Sequence, residues 1–242
     1  MKKVSLFAFA LLIVTGLYAQ QSPAAPKKKE KIDLSGRAND HLLIQLGYAG
    51  WGGQPDTISS AGFSKNFNIY LMLDFPFKSN PKMSVAIGPG FSSEHMKFSK
   101  TFIDIKGTTA KLRFIDQSDT NHYKRNTLAT TYFELPVELR FSSDPLHSGR
   151  GWKLALGARV GTMLNAHTRY KELQNSNGAL INAYTLKESS KRYFNTTRFS
   201  VTGRIGWGHL TAYGSYQVTT LFKTGVAAEV HPYAIGLTLS GL

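Results

Sequence analysis

Thr131-Tyr132-Phe133-Glu134-Leu135-Pro136-Val137-Glu138-Leu139-Arg140-Phe141 decides how the chain is read. Thr131, Phe133, Leu135, Val137, Leu139 and Phe141 fall on one face. Tyr132, Glu134, Pro136, Glu138 and Arg140 fall on the other. A strict period of two is the signature of a strand with an apolar and a polar side. Outward from it, the same alternation recurs over 42–49, 67–77, 83–92, 152–161, 198–207, 210–218 and 233–240. Segments of about ten residues match the length that a tilted strand needs to cross a bilayer's hydrocarbon.

The links between segments are sorted by length. The links at 78–82, at 142–150 and around Gly208 are short. Those at 95–129 and 166–196 are long, and those at 52–65 and 221–229 are intermediate. Short turns alternating with longer loops are expected of a membrane barrel, with turns in the periplasm and loops outside. Phe67, Phe75, Phe77, Phe91, Phe141, Trp152, Trp207 and Tyr233 sit near segment ends on the apolar face, where interfacial girdles are built. The expected fold is all-β: an eight-stranded antiparallel transmembrane β-barrel with an N-terminal signal peptide and both mature termini in the periplasm.

The rest of the chain fits export. Lys2 and Lys3 precede an apolar run from Val4 to Leu17, and Ala19-Gln20 follows. This pattern predicts a signal peptide over 1–19. Residues 20–40, with Pro23, Pro26 and a lysine run, read as a flexible periplasmic tether, and 41–242 as the barrel domain. No later stretch has the ~18 consecutive apolar residues that a membrane helix needs. There is no cysteine, which excludes disulfides, thiolate metal sites and a lipoprotein anchor. The net charge of +14 favours anionic partners, and export leaves lipid and lipopolysaccharide rather than nucleic acid.

The polar face carries Asp74, Glu134, Glu138, Arg140, Lys153, Arg159, Arg198 and Arg204. A barrel of this size is just filled by its own side chains. Unpaired charge inside it would be costly, so these residues are expected to form a structural ion-pair network that plugs the lumen. Glu134 and Glu138 stand roughly 13 Å apart on one strand, too far to share a scissile bond. None of the seven histidines forms a close metal-binding pair, and no nucleophile elbow or phosphate loop is present. Gly88-Pro89-Gly90 reads as relief of crowding in a curved strand. No catalytic, cofactor-binding or metal-binding residue is expected, and the chain is not read as an enzyme.

The long loops are basic: seven basic residues face three acidic ones over 95–128, and five face two over 166–197. Phe102 and Ile105 against Leu112 and Phe114 suggest a hairpin inside the first.

Tyr132-Phe133-Glu134-Leu135-Pro136 resembles the aromatic–Glu–Leu/Ile–Pro strand of PorT-like outer-membrane β-barrel proteins of the Bacteroidota. His231-Pro232-Tyr233-Ala234-Ile235-Gly236-Leu237 and the Ala19-Gln20-Gln21 junction are similar to theirs as well. The resemblance implies an outer-membrane barrel over about 40–242. Its founding member serves type IX secretion, a role that membership does not transfer. The functions in view are a structural or interaction barrel contacting outer-membrane lipid and other envelope proteins, a secretion component, a rim enzyme using His95, His122 or His167, and a pore. The filled lumen counts against the pore.

Overall fold

The computed structural model describes residues 41–241 apart from Thr57 and Ser148. The expected signal peptide and tether lie outside the described residues. Thirteen strands follow in order: β1 (Leu42–Gly52), β2 (Lys65–Leu71), β3 (Leu73–Pro76), β4 (Met83–Ile87), β5 (Gly90–Phe98), β6 (Thr101–Ile103), β7 (Phe114–Asp116), β8 (His122–Ser142), β9 (Trp152–Gln174), β10 (Leu180–Ser189), β11 (Thr197–Trp207), β12 (Leu210–Gln217) and β13 (His231–Ser240).

The main sheet closes on itself. From β9 it runs through β11, β12, β13, β1, β2 and β5 to β8, and β8 pairs back onto β9. β2 and β3 form one interrupted stave and β4 and β5 another, so the ring has eight staves among the described residues. The interruptions keep register. Tyr70 faces Gly90 and Leu73 faces Ile87, while Gly90 faces Glu134 and Ile87 faces Val137. Gly88 sits at the break because a Cβ there would collide with the Leu71 carbonyl oxygen. Pro89 beside it donates no ladder bond.

The alternation sorts side chains as the sequence suggests. Leu71 is 61% exposed, whereas its neighbour Tyr70 is 2% exposed. The outward face carries Leu46, Leu73, Leu135, Leu156, Ile205, Ile235 and Leu237, all exposed. An aqueous protein has no use for such a belt, and a bilayer requires it. Aromatic pairs border it. Trp152 and Trp207 meet edge to face at 5.6 Å near the short turns, and Phe91 and Phe133 meet at 5.6 Å on the other side. Among the described residues no helix is long and apolar enough to cross a membrane, so the strands are the spanning elements.

The spans 95–129 and 166–196 are not simply loops. β5 continues to Phe98, β8 starts at His122 and β9 runs on to Gln174, where β10 pairs onto it. The polar Thr, Asn and Lys residues there keep pairing because the inner face still has something to bury against. The hairpin exists as a β6–β7 pair, with Phe102 opposite Ile115.

That inner partner is an apolar cap at the long-loop end. Trp51, Met96, Phe98, Leu128 and Met163 point inward from the staves and pack with Ile58, Ile103, Ile105, Phe194, Leu221 and Phe222 from the connections. Trp51 touches Phe98 at 5.2 Å and Phe222 at 5.7 Å.

Candidate functional site

Below the cap, the inward charges form two clusters. In the lower one, Arg204 of β11 donates through Nη2 to Glu138 Oε2 at 2.6 Å, and Arg140 Nε donates to the same oxygen at 3.0 Å. Arg140 also lies 3.7 Å from Asp74, whose Oδ1 accepts a 2.7 Å bond from the Ser84 hydroxyl. In the upper cluster, Glu134 sits between two guanidinium groups, with Arg159 and Arg198 each 3.4 Å away. Tyr70 donates to Glu134 at 2.6 Å, and Arg198 also pairs with Glu94 across the lumen. The Arg198 guanidinium stands 4.8 Å from the Tyr132 ring centre.

All seven residues named from sequence for this network, Asp74, Glu134, Glu138, Arg140, Arg159, Arg198 and Arg204, are inward and ion-paired. Glu94 completes it, so that four carboxylates face four guanidinium groups. The sequence reading missed it by ending its strand at Ser92. One more step of the same alternation reaches Glu94. Lys153 is inward and half-buried. On the opposite wall the filling is neutral: Asn68 donates to Gln45 at 2.9 Å, Gln45 to Thr238 at 3.1 Å and Tyr213 to Asn66 at 2.6 Å. Each carboxylate of the pair Glu134 and Glu138 belongs to its own cluster, which leaves no shared reaction centre.

The histidines do not converge. His122 is buried near the far end of β8, opposite Gln174, while His95 and His167 lie on the outward face, in register with Ala129 between them. Among the described residues no group of three or more His, Asp or Glu could hold a metal ion. The Ser93 hydroxyl is 3.1 Å from His95 Nε2, the contact of a nucleophile and base. Lys65 and Arg169 beside it oppose the imidazolium that such chemistry must form. Desolvation first, and then these two cations, hold His95, which lies beyond the apolar belt, below its ordinary pKa.

Above this row lies a basic groove. Lys97, Thr127 and Arg169 form one rung across β5, β8 and β9, with Lys65 opposite His95 below and Arg125 opposite Lys171 above. The groove encloses about 530 Å³. Lys124 also lines it and is paired with Glu172 at 2.9 Å. No lining residue is acidic.

The family model described as outer membrane protein beta-barrel domain matches residues 27–219. Among curated proteins none matches the chain. Among solved structures the chain is similar to the outer membrane phospholipase A from Escherichia coli, at 11% identity and a TM-score of 0.20, over 81% of this chain and 95% of that one. A likeness so slight carries no argument about activity.

Proposed function

We propose, for a chain that belongs to the outer membrane protein beta-barrel domain family, a sealed, non-enzymatic barrel whose role is structural or interactive and whose working surface is its outer end. Within that family we place it beside the PorT-like proteins, on the Phe133-Glu134-Leu135-Pro136 strand and the His231-Pro232-Tyr233 ending. The observation that carries the reading is the double closure of the interior. Balanced ion pairs fill the middle, and the cap around Trp51 and Phe222 covers the long-loop end. Transport through such a lumen would have to break paired buried charges, which is costly.

What remains accessible is outside. β10 pairs with β9 alone, and Leu180, Ile181 and Tyr184 on it are exposed, which suits contact with another envelope component. The basic outer loops suit contact with lipopolysaccharide. The test is reconstitution of the purified protein into liposomes. No swelling in small sugars and no conductance in planar bilayers are expected, and steady single-channel currents would overturn the reading.

The Ser93–His95 contact favours a second reading, hydrolysis of lipid at the rim. It predicts that Ser93→Ala alters outer-leaflet lipid composition. Identical lipid profiles in the variant and the parent strain would remove it.

A further inference from the structure

Six cations gather on one side of the barrel: Lys65, Lys97, Lys124, Arg125, Arg169 and Lys171. Glu172 beside them, which pairs with Lys124 at 2.9 Å and also attracts Arg125 and Lys171, offsets their charge only in part. The cations come from β2, β5, β8 and β9, so the sheet itself fixes their spacing. Opposed like charges such as Arg125 and Lys171 are unfavourable in a bare sheet. An anion between them converts that repulsion into attraction. Arginine forks match phosphate oxygens with two parallel bonds, and lysines add point charge.

Height identifies the anion. Lys65 is two residues beyond Phe67, an exposed member of the apolar belt, or roughly 7 Å along the strand. The groove therefore opens at the level of the outer headgroups, on the outward face. We propose that it is a binding site for a phosphate of the outer-leaflet glycolipid, the lipid A part of lipopolysaccharide. This deepens the reading of the outer end as a lipid-contacting surface and rests on that part of it. The lipid's acyl chains would lie against Phe67 and Phe91 while its phosphate enters between Lys97, Arg169 and Lys171.

The experiment compares the full chain with a Lys97→Gln, Arg169→Gln, Lys171→Gln triple variant, each purified in neutral detergent and shown to be folded by its boiling-dependent gel mobility. Bis-phosphorylated lipid A, dephosphorylated lipid A and inorganic phosphate are the probes, with bound lipid read by native mass spectrometry. The parent protein should retain phosphorylated lipid A at least tenfold better than the dephosphorylated form, and the triple variant should lose that preference. Equal retention of both lipids, or an unchanged preference in the variant, overturns the proposal. Displacement of the lipid by millimolar inorganic phosphate assigns the groove to free phosphate and overturns it as well. Should the triple variant misfold, Lys65→Gln and Lys97→Gln are each measured alone, and each must weaken retention. Conductance, which would sink the sealed lumen, leaves this site standing. Loss of this preference leaves the sealed lumen standing.

Discussion

Arg204 and Glu138 meet at 2.6 Å from staves that are not neighbours, because β9 stands between β11 and β8. Their bond therefore runs through the interior rather than along the sheet. Both are buried, and Arg140 reaches the same carboxylate at 3.0 Å. Arg204→Met should lower stability by about 3–5 kcal/mol, since it leaves a buried charge short of a partner. Glu138→Gln together with Arg204→Met should recover part of the loss. Urea titration of the folded band on unboiled gels measures both.

The cap should fail separately from the barrel. Phe222 lies 5.7 Å from Trp51 and 5.3 Å from Phe194, at the point where separate connections converge. Phe222→Ala should cost about 3–5 kcal/mol of packing there. Limited proteolysis of intact cells should then cut the outer connections, while the boiling-dependent gel shift persists.

Gly88 and Gly214 make a matched pair of tests. A methyl group on Gly88 runs into the Leu71 backbone, whereas one on Gly214 meets nothing within 4 Å. Gly88→Ala should sharply reduce the folded fraction in the outer membrane. Gly214→Ala should fold like the parent protein.

His95 and His167 lie outside the apolar belt and give the pH dependence. Both titrate below the ordinary 6.5, first from desolvation and then from cations, Lys65 and Arg169 for His95, Lys187 and Arg169 for His167. The folded protein thus binds fewer protons than the unfolded chain just below pH 6.5. Their contribution to stability is full above that value and falls as the pH drops through it. NMR titration should place both midpoints below 6.5, and Lys65→Gln should raise that of His95.

Much of this was legible in the sequence, and the reason is periodicity. The alternation through Phe133-Glu134-Leu135 assigned lipid-facing and lumen-facing residues correctly along every stave. It also put on the inward face seven of the eight residues that make up the two lumen clusters. Glu94 and the outer halves of β8 and β9 escaped because their outward residues, such as Lys97, Thr127 and Arg169, are polar. There the apolar contrast that marks a strand vanishes although pairing goes on. The cap escaped for another reason. Ile58, Ile105, Phe194 and Phe222 are far apart in sequence, and nothing local announces that they share a core. The sequence likewise counted the loop cations but could not put Lys97 and Arg169 on one rung.

The 21 residues of β8 and 23 of β9 stay paired from Ser142–Lys153 to His122–Gln174. At ~3.3 Å per residue and a tilt near 40°, a run of that length climbs about 50 Å, while the hydrocarbon takes up about 30 Å. The mast left over rises roughly 20 Å clear of the oily layer. The reverse turn at Asn175–Ala179, which joins β9 to β10, crowns it.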